Sequence, residues 1–409
     1  MSAPASVSEA VRAWTGCEHV VFVHSGSAAL GLALWASGAG ATAASVAVPA
    51  LACWTLTQSV LEAGAQPRYA EVGTDLQATP EGVRATGADF AMSVAAWGAP
   101  CRLPPASPVP PRVADLTLSP LSAFDALAGA ADFLVLSLGR GKPWDIGAGG
   151  ILACADESLA TEVRDRVQFG RRGLRWHRRG PRIVAAAALG EPALAAWQRL
   201  VEGRDAHIEA RLAWEALSAG TALRPVPLAE PARAGVTAIV PHLLAPDFDL
   251  TGEDLYRVAI AERMPIGVQP VSPAYLEPAG ADLCGGCPAA EALSDRLVFV
   301  SSAALGAPLS ERLARFLDRV QANVARLRFP FGLPIDTPAA PLPEPYRRWA
   351  AYGVLCRGLD GSFRVLDTLT AKLFAVDANL ATALAAAQAP AAPLSAARVP
   401  PVRLAEAAP

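Results

Sequence analysis

Only two of the 35 basic residues in this 409-residue chain are lysines, Lys142 and Lys372. Arginine serves wherever positive charge alone is wanted, but a guanidinium neither gives up its proton nor forms an imine, and an amine does both. Lys142 stands in LSLGRGKPWDIGAGG, directly after an apolar run, where neighbouring glycines let backbone come close to a ligand. It is the first candidate for covalent chemistry; a surface cation in a tight turn is the alternative. The loop is not a phosphate loop, because Leu136 and Pro143 occupy the places of the leading glycine and the trailing Ser or Thr. Nor is it a dinucleotide fingerprint, since Trp144 fills the last glycine position counted from Gly139.

A carboxylate and a helix start accompany the amine. Asp115 closes the apolar run PRVAD, and SGSAAL opens a helix whose first N–H groups and dipole favour a phosphate. Pyridoxal phosphate asks for all three. Its aldehyde condenses with a lysine, its phosphate suits a helix N-terminus, and its pyridine nitrogen stays protonated beside a carboxylate so that the ring acts as an electron sink.

These residues need a frame that brings them together. Short apolar runs recur near residues 19, 45, 67, 89, 111, 132 and 149, separated by helical stretches, the pattern of an α/β sheet with mostly parallel strands. Ligands in such sheets gather beyond the carboxyl ends of strands. His24 to Ser27, Asp115, and Ser137 to Lys142 all fall there. The uncharged stretch from His24 to Leu61 is long enough to cross a bilayer, but Gly38, Gly40, Thr42, Ser45 and Pro49 break it into a helix over about 27–37 and a strand over about 45–48. No membrane span is expected. Residues 155–220 read as helical, and a smaller α+β region follows. The expected organisation is a large domain over 1–220, a small C-terminal domain over 221–330, a proline-rich linker over 331–345, a hairpin and helix appendage over 346–388, and a disordered tail over 389–409. YGVLC and FRVLD form the hairpin in this reading, and TLTAKLF, which holds Lys372, is helical. The appendage is read as a docking element for a partner or neighbouring subunit, or as a packed addition of no catalytic consequence.

At this point the chain resembles the sugar aminotransferases of the DegT/DnrJ/EryC1/StrS group, over about residues 10–330. HSGSAALGLAL is similar to that family's SGTxAL phosphate-loop segment. SVAVPALACWTLTQSVLEAGAQPRYAEV resembles its strand, proline and following helix, and MPIGVQPVSPAYLEP its small-domain substrate segment. SLGRGKPWDIGAGG matches its lysine motif with Ser137, Lys142, Gly147, Gly149 and Gly150 in place. The resemblance implies the type I pyridoxal-phosphate aminotransferase fold, a large domain with a mostly parallel central sheet plus a smaller α+β C-terminal domain. It implies Lys142 as the Schiff-base lysine and Asp115 as the pyridine partner, with phosphate ligands from Gly26, Ser27, Ala28 and Ser137. It also implies a homodimer. Where the family has an aromatic ring two or four residues after the proline, this chain has Leu51 and Cys53, with Trp54 one step further; Trp54 is read either as the ring-stacking contact or as core packing. Leu118 stands where the family has glutamine or histidine, and no NYR-type segment occurs near 175–190. That region instead carries Arg164, Arg166, Arg171, Arg172, Arg175, Arg178, Arg179 and Arg182, a concentration suited to a nucleotide-sugar diphosphate or to a solvated helix face.

The resemblance implies an aminotransferase passing an amino group from glutamate or glutamine to a keto-sugar, nucleotide-linked in the family's manner. Another pyridoxal-phosphate reaction, or a non-catalytic homologue, is the alternative. A formal net charge of −3 gives no overall pull toward nucleic acid or anionic membrane. Seven scattered cysteines do not form a disulfide framework, and the Cys284–Cys287 pair lacks partners for a zinc site, so no metal is expected and a reducing cytoplasm fits. The N-terminus lacks the basic start and apolar core of a signal peptide.

Overall fold

The computed structural model describes residues 4–39, 44–100, 111–122, 131–168, 186–228, 230–268, 286–334 and 342–388. The chain divides into two compact units: Met1–Glu209 with Pro227–Ala238 and Pro273–Ala290, and Ala210–Val226 with Ile239–Ser272 and Glu291–Pro409.

In chain order the first unit contains α1 (Val7–Thr15), β1 (His19–Val23), α2 (Gly26–Ala36), β2 (Ser45–Pro49), α3 (Trp54–Glu62), β3 (Gln66–Ala70), α4 (Pro80–Ala85), β4 (Phe90–Val94), β5 (Pro111–Asp115), β6 (Phe133–Ser137), β7 (Gly150–Cys154), α5 (Glu157–Gln168) and most of α6 (Ala186–Ser218). All seven apolar runs are strands. They form one sheet in the order β1-β7-β6-β5-β4-β2-β3. The pairs β2–β3, β2–β4, β4–β5 and β5–β6 are parallel, whereas β7 runs antiparallel to both β6 and β1.

Strand periodicity explains how this sheet is covered on both sides. Val21, Val46, Val113, Val135 and Leu152 face one layer, packed with α2 and α3 residues such as Leu32 and Leu56. Their chain neighbours Phe22, Ala114, Leu134, Leu136 and Ile151 face the other, packed with Val11 of α1 and Ala193 and Trp197 of α6. Helix α2 is apolar all round and nearly all of it is buried, which accounts for the uncharged stretch. Among the described residues no helix is long and apolar enough to cross a membrane. Helix α6 departs from helical geometry at Gly190, two residues before Pro192.

The second unit continues with β8 (Leu223–Pro225), β9 (Ile239–Leu244), α7 (Gly252–Ala261), β10 (Ile266–Gly267), α8 (Pro288–Ser294, shared with the first unit), β11 (Leu297–Ser301), α9 (Ala307–Gln321), α10 (Val324–Leu327), α11 (Trp349–Tyr352), β12 (Gly353–Arg357), β13 (Phe363–Asp367), β14 (Lys372–Val376) and α12 (Ala378–Gln388). Strands β10-β11-β9-β8 make an antiparallel sheet over a core that includes Leu255, Val298, Leu313 and Phe316. Strands β12-β13-β14 make a second one. The hairpin around RGLDGS is present, but TLTAKLF is not helix: its last residues begin β14. The reason lies in burial. Leu373 packs toward Tyr256 and Cys356 on one face of the sheet, and Phe374 toward Trp349 and Leu384 on the other. With apolar side chains partly buried on both faces, this strand loses its polar alternation and looks like a continuous apolar run.

Candidate active site

Because β1 to β6 share one direction, their carboxyl ends lie along one edge of the sheet, together with the start of the reversed strand β7. Asp115 ends β5, Ser137 ends β6, Gly26 to Ala28 follow β1, and Trp54 opens α3 after β2. Gly150, the first residue of β7, is level with Val23 on one side and Ser137 on the other. Val135, two residues before Ser137, is level with Asp115. The sequence-derived candidates therefore share one edge, within the first unit.

The start of α2 is seated on this edge through missing side chains. A Cβ at Gly26 would lie 2.6 Å from the Cβ of Ser137, and one at Gly150 would lie 2.3 Å from the carbonyl oxygen of Ser25. Glycine at both places lets the helix N-terminus come down onto the ends of β6 and β7. Ser25 is the N-cap, and its Oγ accepts the Ala28 N–H at 3.2 Å, so that N–H is already engaged by the chain itself. No acidic side chain stands in the first turn of α2 to offset the positive end of the helix dipole. Ser137 accepts the Gly139 N–H at 3.2 Å through a hydroxyl that still has its own proton to donate.

Asp115 is buried at 6% exposure. Burial raises its carboxyl above the usual carboxylate range, while hydrogen bonds from Thr117 and the charge of Lys142 pull it back down. The Thr117 N–H donates to Oδ1 at 2.9 Å. Lys142 itself is half-buried in the turn joining β6 to β7, its N–H donating to the Gly139 carbonyl at 3.3 Å. The charge of Lys142 is the smallest of the causes that lower the Asp115 carboxyl.

Four residues of this site escaped the sequence reading as contributors. Ser25 was legible as an N-cap three residues before Ala28. Thr117 was hidden behind its neighbour Leu118, the position that attracted comparison. Trp144 registered only as a missing glycine, yet its buried ring lies 4.7 Å from that of Trp197, and its Nε1–H donates to the Ala193 carbonyl at 3.0 Å. Asp145 accepts backbone N–H groups on both sides of the lysine turn.

The remaining expectations fall as follows. Leu51 is buried, Cys53 is exposed, and Trp54 is half-buried at the first position of α3. Lys372 is exposed at the start of β14 in the second unit. Arg171, Arg172, Arg175, Arg178, Arg179 and Arg182 lie outside the described residues, as do Cys284 and most of MPIGVQPVSPAYLEP. Among the described residues, no group of three His, Cys, Asp or Glu side chains is placed to hold a metal ion.

Pyridoxal phosphate fits what is present: an amine in electrostatic reach of a buried carboxylate, beside a helix N-terminus brought close by two glycines that no Cβ would permit. Residues 5–107 match the model of the DegT/DnrJ/EryC1/StrS aminotransferase family. A comparison with curated proteins returned no match. Among solved structures, DesI in the presence of its TDP-sugar product aligns with a TM-score of 0.63 at 21% identity, over 78% of this chain and 84% of that one. The sugar aminotransferase CalS13 from Micromonospora echinospora gives 0.61 at 19% identity, over 75% and 89%. The 3-amino-5-hydroxybenzoic acid synthase gives 0.62 at 20%, over 78% and 89%. Likeness at such identity establishes the fold, and the fold is that of the type I pyridoxal-phosphate aminotransferases. The N-terminal match over residues 5–107 and the fold thus make this chain similar to the DegT/DnrJ/EryC1/StrS aminotransferases, a pyridoxal-phosphate-dependent family.

Proposed function

We propose that this protein is a pyridoxal-phosphate aminotransferase that moves an amino group from glutamate or glutamine to a keto-sugar carried on a nucleotide. The observation that carries the reading is the common sheet edge shared by Lys142, Asp115 and the start of α2. Lys142 would hold the cofactor's aldehyde end and Asp115 its pyridine nitrogen. The α2 N-terminus at Gly26, Ser27 and Ala28, with the Ser137 hydroxyl, would hold its phosphate, and Trp54 a face of its ring. When bound, the cofactor supplies an electron sink that no side chain offers.

The chain's own residues do the rest. Lys142 would take the α-proton of the amino donor on Nζ as a general base and later give up a proton from the same atom as a general acid. Asp115 holds a positive partner through its buried negative charge, an interaction strengthened by the absence of water around it. Ser137 and the helix start fix an anion, and so the orientation of whatever carries it. The nucleotide-linked acceptor is supported by likeness to DesI, solved with its TDP-sugar product, and by the arginine-rich sequence from Arg164 to Arg182. We also read the protein as a cytoplasmic homodimer, for which a sedimentation mass of two chains is expected.

A second reading, a pyridoxal-phosphate protein that does not transaminate, is favoured by Leu51 and Leu118 at positions where the family has other side chains. One experiment separates the two. Soaking with pyridoxal phosphate should give a near-visible absorbance band that shifts when glutamate is added, and borohydride followed by peptide mass mapping should leave a pyridoxyl label on Lys142. A band without a glutamate response selects the second reading. A label missing from Lys142, or a Lys142→Ala protein that keeps the band, overturns both.

A further inference from the structure

The turn that carries Lys142 is held by a side chain outside the family's lysine motif. Leu138 and Gly149 close its base with a 2.9 Å hydrogen bond, and the Ile146 N–H donates to the Leu138 carbonyl at 3.1 Å. Above that base the backbone lacks packing support. Gly141 and Gly147 have left-handed φ angles of 77° and 92°, and a Cβ at either would touch nothing within 4 Å. What spans the gap is one carboxylate. Asp145 Oδ2 accepts the Gly141 N–H at 2.7 Å and Oδ1 accepts the Gly147 N–H at 2.7 Å, both charge-assisted bonds.

The lysine therefore sits inside a clamp. Gly141 precedes it by one residue, Asp145 follows it by three, and Trp144 between them is rooted by its contacts with Trp197 and Ala193. With both ends of the segment 141–145 tied, the Cα of Lys142 is fixed, and the amine searches a small volume. Solvent-facing loops with few contacts open easily, so removing the clamp should broaden that search.

We propose that Asp145 is a positioning residue for Lys142: its single carboxylate ties the backbone on both sides of the lysine and so sets where the amine is presented. The role in catalysis rests on the function proposed above; the clamp itself does not. Its consequence is a higher effective concentration of the amine at the one place where an aldehyde is to be met.

The test uses Asp145→Ala and Asp145→Asn in the full chain. Asparagine offers one acceptor oxygen and turns an NH2 group toward a backbone N–H, so it should fail as alanine does. In the cofactor-free proteins, hydrogen exchange of the peptide spanning 139–150 should accelerate about 10-fold in both variants, with far-UV circular dichroism unchanged as the sign that the fold persists. After limited exposure to pyridoxal phosphate and borohydride, the ratio of label on Lys142 to label on Lys372, the other lysine of the chain, should drop about 10-fold. A change in folding stability alone would not move that ratio. Wild-type exchange together with a wild-type labelling ratio overturns the proposal. Should the wild-type protein take no label at Lys142, the cofactor reading fails instead, and the exchange data on cofactor-free protein still decide whether Asp145 holds the loop.

Discussion

On the function proposed above Asp115 would meet a cation, and a buried carboxylate is costly until that cation arrives. Its carboxyl is raised by burial, with Thr117 and Lys142 offsetting only part of the shift. A raised value means that the folded protein binds this proton more tightly than the unfolded chain does. The stabilising contribution is complete below the ordinary carboxylate value of 3.8 and is lost as pH rises through the folded value. Wherever it is ionised, the group is a burden on the cofactor-free fold, and a protonated pyridine nitrogen would relieve it. Asp115→Asn keeps the acceptor for the Thr117 N–H and removes the charge. The cofactor-free variant should melt at or above the wild-type temperature at pH 7, by a margin that vanishes near pH 3.5, while aminotransfer falls by about 10²-fold or more. A variant that is both less stable at pH 7 and fully active would show that Asp115 is an ordinary buried acid. Lys142 and Asp115 stand out as candidates in the sequence because such residues are uncommon there: a rare amine, and a charge ending an apolar strand. Thr117 and Asp145 were not legible, since a hydroxyl or carboxylate acting on nearby backbone leaves no periodic trace.

Between elements, the site depends on how closely α2 approaches the sheet. That contact is written as absences of side chains. At Gly150 the obstructing atoms are backbone, the Ser25 carbonyl at 2.3 Å and the Gly26 nitrogen at 2.7 Å, so no rotamer change makes room. Gly150→Ala should therefore push the α2 N-terminus away from β7 and also disturb the pairing of Ser137 with position 150. The expected cost is about 1–3 kcal/mol of stability, as for overpacking elsewhere. The affinity for inorganic phosphate or pyridoxal phosphate should fall with it, measurable by thermal melts with and without ligand. Gly38 offers the control, because a Cβ there meets nothing within 4 Å, though its φ of 84° leaves some strain. Equal ligand affinity in the Gly150→Ala and wild-type proteins would mean the helix start does not hold the anion. Strands were readable here because each is short, apolar and bounded by turn residues, and because alternating sides of β5, β6 and β7 feed two different cores. The exception, β14, is apolar on both faces for the reason its packing gives.

On the scale of the molecule, the C-terminal segment is an integral layer of the second unit. Helix α7 gives one face to the core it shares with α9 and the β10-β11-β9-β8 sheet, and the other to the β12-β13-β14 sheet. Arg257 of α7 donates to the Leu355 carbonyl at 3.0 Å, and its guanidinium stacks 4.2 Å from the Phe329 ring. Glu262 accepts the Leu359 N–H at 2.7 Å, and Arg364 reaches back to the Ala261 carbonyl. On the far side of that sheet, Asp367 is wholly buried and accepts from Trp349, Arg348 and the Leu369 and Thr370 N–H groups. These bonds hold its carboxyl below the usual range despite burial. Ending the chain at position 341 would strip one face of α7, exposing Tyr256 and Ala261 and leaving the Arg257 guanidinium without its carbonyl partner. Calorimetry on such a truncated protein should show the second unit destabilised by about 3 kcal/mol or more, in line with losses from large core deletions. Borohydride labelling of Lys142 should survive, because every residue of the candidate site lies in the first unit. A truncated chain with an unchanged melting profile would reduce the segment to a surface addition. One that melts normally but loses subunit association would return it to the role of a docking element.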